Sequence, residues 1–242
     1  MQSMRALLQE YYDRVPPDEP RLVPAHWSTC EGEGETVALI DGAPATDVED
    51  LRGAALATIY MLPGAGDRSC QHTTHAACLL IGQGAVATRG IAPRARLLAF
   101  SVVGRDGEIV PSAIADAIAR ALAQGASILA LPLGDHAEHS EIAAAVAVAL
   151  ARGVTIVAAA GNAHPRPILF PARLPGVLAV GAVDADDRLL ADCCRGPGLA
   201  ALAPGLRITA QVAPGRVAPR SGSSVATALV AGALALTRSS SM

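Results

Sequence analysis

Four polar residues spread along the chain have the side chains that acyl transfer needs. Asp41 follows the apolar run TVALI, His72 stands in CQHTTHAAC, Asn162 follows VTIVAAAG and Ser224 lies in SGSSVATALVAG. A serine hydroxyl is a poor nucleophile alone, because it needs a base to take its proton, an acid to orient that base and donors for the oxyanion. The four residues supply these roles together, in one of the known chain orders of an Asp–His–Ser triad.

Each of these residues also fits a purely structural role when it is taken alone. An aspartate after a strand is often a turn or cap residue, and a histidine that opens a helix usually packs. AAAGN could be an ordinary exit from a strand, and Ser224 could simply cap a helix. The catalytic interpretation therefore depends on a fold that brings all four together.

The rest of the sequence alternates between strand-like and helix-like patterns. Strands are predicted at 36–40, 95–103, 127–133, 154–160 and 177–183, and helices at 111–124, 141–152 and about 224–237. Strand and helix in strict turn predict parallel strands with helices on both faces, a three-layer, doubly wound α/β fold with a mostly parallel sheet. Sites in such sheets form at the carboxyl ends of the strands, where Asp41 and Asn162 lie.

The first 35 residues are expected to be separate from this sheet. Residues 3–14 fit a short amphipathic helix, PPDEPRLVP cannot continue it, and EGEGE at 31–35 is typical of a polar connector. We divide the chain into an N-terminal helical extension and linker at 1–35 and a catalytic domain at 36–242. The extension could dock a partner protein or pack on the domain.

Composition argues against several classes of protein. The net charge is −3, from 19 basic and 22 acidic residues, which gives no electrostatic footprint for nucleic acid. No stretch supplies the roughly 20 strongly apolar residues of a membrane span. The N-terminus lacks a secretory signal, and five cysteines, two of them adjacent, are a poor basis for disulfides. We expect a cytoplasmic protein.

The motifs resemble those of the subtilisin-like serine proteases (subtilases) from about residue 36 to 237. VALIDG resembles the catalytic-Asp strand of that family, HTTHAA its HGTHVA motif, AAAGN its oxyanion-Asn motif and GSSVATALVAG its GTSMASPHVAG segment. The resemblance implies a serine endopeptidase in which Ser224 attacks, His72 takes the proton, Asp41 orients the imidazole and Asn162 binds the oxyanion. Within the family the chain is most similar to the cyanobactin-type proteases that mature ribosomal peptides, which implies cleavage of leader peptides.

The resemblance also implies how a peptide or protein substrate binds. It would pair as an extended strand against residues 101–104 and 131–134. The residues assigned to substrate are Ser101, Val103, Gly104, Leu131, Leu133, Gly134, Ala160 and Gly161. No residue in the presumed pocket walls, Gly134, Asp135 and 159–161, indicates which side chain is preferred at the cleavage site.

Several positions depart from the family pattern. Thr73 stands where the family has glycine and could crowd the imidazole. Pro132 stands where the family usually has serine, and it has no N–H to donate to substrate. Pro171 falls where the family often has a cis peptide bond, which we expect here as well. All four catalytic positions are occupied, which argues for an enzyme, but Thr73 and Pro132 leave open an alternative in which the chain is a catalytically impaired binding or partner subunit.

A metal site is the remaining alternative. Cys70, His72, His75 and Cys78 form C-x-H-x-x-H-x-x-C, but this is not the spacing of ordinary zinc modules, and the start of a helix cannot easily converge all four. The loop after His72 also lacks the insertion that carries calcium in secreted members of the family. We therefore predict no metal and no cofactor.

Overall fold

The protein is described by a computed structural model that covers residues 30–63, 69–104 and 107–239. The helix predicted at residues 3–14 lies outside these ranges. The division of the chain at residue 35 therefore stays a prediction.

The described residues form nine β-strands and four α-helices. The strands are β1 Thr36–Asp41, β2 Leu56–Tyr60, β3 Arg96–Ser101, β4 Ile128–Leu131, β5 Thr155–Ala159, β6 Leu178–Val183, β7 Leu199–Pro204, β8 Ile208–Ala213 and β9 Arg216–Arg220. The helices are α1 Gln71–Ile81, α2 Pro111–Ala123, α3 Ser140–Ala151 and α4 Ser223–Ser239, and a 3-10 turn spans Glu49–Leu51. None of the described helices is both long and apolar enough to cross a membrane.

Seven strands form one sheet in the order β2-β3-β1-β4-β5-β6-β7, and every neighbouring pair in it is parallel. The predicted α/β fold is therefore confirmed. The expectation of strict alternation is wrong, because β1 and β2 are joined through only a 3-10 turn, and β5, β6 and β7 follow one another without a helix. The antiparallel β8–β9 hairpin was not predicted from the sequence.

The helices cover both faces of the sheet. On β1, Val37 and Leu39 pack in the core beneath α1 and α4, while Ala38 and Ile40 pack in the core beneath α2 and α3. Successive side chains of a strand point to opposite faces, so a central strand between two helical layers must be apolar on both. This explains why TVALI is an unbroken apolar run.

The topology brings the four candidate residues together at the carboxyl ends of the sheet strands. Asp41 is the last residue of β1, and Asn162 is the third residue after the end of β5. His72 and Ser224 are each the second residue of a helix, in α1 and α4. The Phe170–Pro171 peptide bond, which follows in the same region, is cis as expected.

Candidate active site

Asp41 and His72 form a direct hydrogen-bonded pair. The distance between Asp41 Oδ2 and His72 Nδ1 is 2.6 Å. The aspartate side chain is 7% exposed and the histidine side chain 33% exposed. A buried carboxylate on Nδ1 fixes the orientation of the imidazole and leaves Nε2 free to face a reactant.

Thr73 supports this pair rather than crowding it. Its hydroxyl donates to Asp41 Oδ2 at 2.8 Å and accepts the Gly42 N–H at 2.9 Å. The side chain is fully buried, and the imidazole of His72 keeps its bond to Asp41 beside it. The threonine therefore adds a second donor to the carboxylate.

Gly42 is required by this arrangement. A Cβ built on it would lie 2.9 Å from Thr73 Oγ1 and 2.6 Å from Cys70 Cβ. Only glycine lets the chain after Asp41 approach the start of α1 this closely.

The pKa of His72 is raised above its ordinary value. Burial opposes the imidazolium form, but the charge of Asp41 and the hydrogen bond to it outweigh the burial. The guanidinium of Arg220 lowers the pKa and offsets part of this rise. The imidazole is therefore a stronger base than an isolated histidine.

Ser224 stands at the start of α4, in a turn that is locked to the loop after β5. The Ser223 N–H donates to Asn162 Oδ1 at 2.9 Å, and Ser223 Oγ accepts the Gly161 N–H at 3.0 Å. Gly222 has φ +127°, and a Cβ there would lie 2.7 Å from Asn162 Nδ2. The Asn162 amide is thus held against this turn by its oxygen, which leaves its N–H groups to donate elsewhere.

A contact across the site joins the start of α1 to the residues before α4. Arg220 Nη2 lies 3.4 Å from Gln71 Oε1, one residue before His72. Within the described residues no hydrogen bond links His72 with Ser224. In unliganded enzymes such bonds are often long and tighten only when substrate binds.

Some of the residues predicted to bind substrate already use their main-chain groups. The Ser101 C=O accepts the Met61 N–H at 3.0 Å. The Gly104 N–H donates to the Glu108 C=O at 2.8 Å, and the Gly104 C=O accepts the Gly107 N–H at 3.0 Å. Gly104 therefore offers a substrate strand neither group.

The loop after β5 is engaged in the same way. The Ala160 N–H donates to the Val180 C=O and the Ala160 C=O accepts the Leu169 N–H, each at 2.9 Å. The Gly161 N–H is held by Ser223 Oγ. The Gly161 C=O accepts the Cys194 N–H at 2.9 Å. The N–H groups of Ala160 and Gly161 are therefore both occupied, and these residues can form a wall beside substrate.

The segment after β4 lines a cavity of about 350 Å³. Leu131 is paired with β5 inside the sheet, whereas Leu133 and Gly134 lie in the cavity wall. Asp135 and Phe170 exchange both main-chain hydrogen bonds, at 2.8 and 2.9 Å. Main-chain N–H and C=O groups alternate in direction along an extended chain, so the N–H and C=O of Gly134 point away from Phe170.

Residue Ile109 also lines this cavity. It forms an antiparallel bridge with Val103. The main-chain hydrogen bonds on either side of the bridge join the residues next to Val103 to the residues next to Ile109. Val103 and Ile109 are therefore a non-hydrogen-bonded pair of an antiparallel ladder. The N–H and C=O of Ile109 therefore point away from Val103. Ile109 was not among the substrate-binding residues predicted from the sequence.

The cysteine and histidine residues around α1 do not converge on a common point. His72 faces Asp41, and His75 Nε2 lies 2.9 Å from the Ile208 C=O. Burial lowers the pKa of His75 to about 4 and raises the pKa of the Cys78 thiol to about 12. The residues that the structure describes contain no group of three or more His, Cys, Asp or Glu placed to hold a metal ion.

Comparison with known proteins places this geometry in context. A sequence profile of the subtilase family matches residues 33–241. The chain is 34% identical over 215 residues to the thermophilic serine proteinase of Bacillus sp. (strain AK1), covering 87% of this chain and 54% of that protein. It is 33% identical over 220 residues to Subtilisin BL of Lederbergia lenta, covering 88% of this chain and 80% of that protein.

A solved structure is also similar to the chain. It is the prenylagaramide maturation protease PagA, with a TM-score of 0.77 and 30% identity over 87% of this chain and 77% of PagA. The chain thus spans most of PagA and of Subtilisin BL, but only about half of the thermophilic proteinase.

Proposed function

Because the chain belongs to the subtilase family, we propose that it is a serine endopeptidase with Asp41, His72 and Ser224 as its triad. The observation that carries the proposal is the 2.6 Å hydrogen bond between the buried Asp41 carboxylate and His72. It lies at the edge of the sheet where α4 presents Ser224 and the loop after β5 presents Asn162.

The chemistry follows from these positions. Ser224 Oγ attacks the peptide carbonyl while His72 Nε2 takes its proton, and Asp41 stabilises the imidazolium that forms. The oxyanion accepts hydrogen bonds from the Asn162 side-chain amide and the Ser224 N–H, at the positive end of α4. As the C–N bond breaks, His72 protonates the leaving amine, and water then releases the acyl group by the same route.

An extended substrate would lie between the two walls of the cavity. Ile109 and Gly134 turn their main-chain groups toward it from opposite sides, as the outer strands of a three-stranded pairing would. We therefore propose that the substrate lies beside residues 107–109 and 133–134 rather than against Ser101 or Gly104, whose main-chain groups already form hydrogen bonds.

For the natural substrate we propose a precursor peptide from which the enzyme removes a leader segment. The likeness to PagA, a prenylagaramide maturation protease, supports this class of substrate. We place the reaction in the cytoplasm, and the odd number of cysteines with Cys193 and Cys194 adjacent, a poor basis for a disulfide framework, supports a reducing compartment. We also propose that residues 1–35 dock a partner protein.

The contacts of Thr73 argue against the alternative of a catalytically impaired binding subunit. Crowding of His72 by Thr73 would be a reason to doubt the base, but the Thr73 hydroxyl instead donates a hydrogen bond to Asp41. Pro132 remains a departure, but substrate pairing at the neighbouring Gly134 does not need its N–H.

A peptide-library digest read by mass spectrometry tests the proposal. Wild-type protein should cleave, and Ser224→Ala should lose about 10⁴-fold or more of the rate. Ser140→Ala, an exposed serine at the start of α3, is the matched control and should cleave normally. Cleavage by Ser224→Ala at the wild-type rate would falsify the triad.

A second measurement uses a serine-directed phosphonofluoridate. It should label the wild-type protein only at Ser224.

A further inference from the structure

The residue on the acyl side of the scissile bond must lie between two chain segments. β4 and β5 are neighbours in the sheet, and Gly134 and Gly161 follow them at the same edge. The start of α4 is tied to Gly161 and Asn162 through Ser223. A carbonyl that reaches Ser224 and Asn162 therefore directs the side chain of its residue between the segments at Gly134 and Gly161.

Leu169 is fixed in this space by main-chain hydrogen bonds to both segments. Its own N–H donates to the Ala160 C=O at 2.9 Å. The next residue, Phe170, exchanges two hydrogen bonds with Asp135. The backbone of Leu169 is thus anchored on each side, and it cannot swing out of the space without breaking one of these pairs.

The side chain of Leu169 touches both walls with the same methyl group. A Cβ built on Gly161 would lie 2.7 Å from Leu169 Cδ1, and one built on Gly134 would lie 3.3 Å from the same atom. Leu169 Cγ would be 2.5 Å from the Cβ at Gly161. Both walls are glycine, so the leucine fills the width that their missing side chains leave.

We propose that Leu169 closes the pocket for the acyl-side residue, so that the enzyme cleaves after glycine, alanine or serine and rejects large side chains. This inference rests on the proposed function, which it deepens by naming the substrate class. A leucine or phenylalanine would have to displace a side chain whose backbone is held on two sides. Discrimination in such pockets amounts to about 10–200-fold for each methylene that does not fit.

Two peptidyl diphenyl phosphonates test the pocket directly, one ending in the phosphonate analogue of alanine and one in that of phenylalanine. The rate of Ser224 labelling is followed by intact mass. Wild type should react with the alanine probe at least about 100-fold faster than with the phenylalanine probe. Leu169→Gly should raise the rate for the phenylalanine probe relative to that for the alanine probe by about 30-fold or more.

Two further variants keep the result interpretable. Leu169→Ala should give an intermediate ratio between the two probes and covers the case in which the glycine variant does not fold. Leu122→Ala, a partly buried leucine of α2 away from the site, should keep the wild-type ratio.

The phosphonofluoridate, which carries no peptide side chain, separates the two levels of the argument. Equal rates for the two probes in wild type, or an unchanged ratio in both Leu169 variants, would overturn the pocket inference while labelling by the phosphonofluoridate upholds the protease. Folded wild type that reacts with none of the three reagents would overturn the proposed function, and the pocket inference with it.

Discussion

The imidazole of His72 stands between two opposite charges, the carboxylate of Asp41 and the guanidinium of Arg220. A general base works only when it is neutral, and a raised pKa moves deprotonation to higher pH. We therefore expect kcat/KM to rise with pH along an acid limb above the ordinary histidine value of about 6.5. A kcat/KM profile measured between pH 5 and 9 checks this.

The cation tunes the same limb. Arg220→Gln removes a charge that opposes protonation of His72, so the limb should move to still higher pH. Arg152→Gln, an exposed arginine that follows α3, is the matched control and should leave the limb in place. A limb that moves to lower pH in Arg220→Gln would contradict the charge argument.

Thr73 gives a second prediction at this scale. Thr73→Val keeps the shape but deprives Asp41 of a donor and leaves the buried Gly42 N–H without an acceptor. We expect kcat to fall about ten-fold with little change in KM, and the free energy of unfolding to fall by about 1–3 kcal/mol. Thr73→Ser restores the hydroxyl and should recover most of kcat, and its failure to do so would mean that packing of the methyl group decides the effect.

The residues that could be predicted are those carried by short motifs. Asp41, His72, Asn162 and Ser224 each stand in a recognisable local sequence, so no tertiary information was needed to propose them. The contribution of Thr73 and of Leu169 depends on which distant segments each one meets. The sequence showed Thr73 only as a departure from a glycine, and it showed nothing at Leu169.

At the scale of elements, the strands that the sequence predicts are those buried on both faces. β1, β3, β4, β5 and β6 are short apolar runs, and each was anticipated within a few residues. β2 and β7 lie at the edges of the sheet, where a strand has one partner and is partly exposed. Both are short apolar segments, LATIY and LAALAP, and a short apolar run cannot be assigned to a strand from its periodicity alone.

The loop after α1 is organised by a buried carboxylate. Asp50 is fully buried, and its oxygens accept the N–H groups of Val86 at 2.7 Å, Ala87 at 3.2 Å and Thr88 at 3.0 Å. Asp50→Ala leaves these donors unpaired, so the free energy of unfolding should fall by about 2–4 kcal/mol. Urea denaturation measures the loss, and the exposed Asp47→Ala should show almost none of it.

The same loop gives a prediction for ligand removal. Because both oxygens of Asp50 are occupied by main-chain donors, the loop needs no cation to hold its shape. We expect a chelator to leave the thermal midpoint and the activity of the protein unchanged. A midpoint that falls with EDTA and recovers with added calcium would contradict this reading of the loop.

At the scale of the whole molecule, the site and a second polar cluster lie at the two ends of α4. Ser224 lies in the first turn of the helix and Arg238 in its last turn, and the Arg238 Nε lies 3.2 Å from Glu35 Oε2. The same oxygen of Glu35 accepts the hydroxyl of Ser127. This cluster joins the starts of β1 and β4 to the end of α4, so the helix that presents the nucleophile is tethered to the sheet at its far end.

The tether should contribute to stability and leave the chemistry unchanged. Arg238 is 42% exposed, so Arg238→Ala should cost at most about 1 kcal/mol of the free energy of unfolding. Glu35→Ala removes the 8%-exposed partner of both Ser127 and Arg238 and should cost more, about 2–3 kcal/mol. Urea denaturation gives both values, and kcat/KM measured well below the thermal midpoint should match wild type, since no bond at Ser224 or His72 changes. A fall in kcat/KM in either variant at full folding would show instead that α4 passes strain from its far end to the nucleophile.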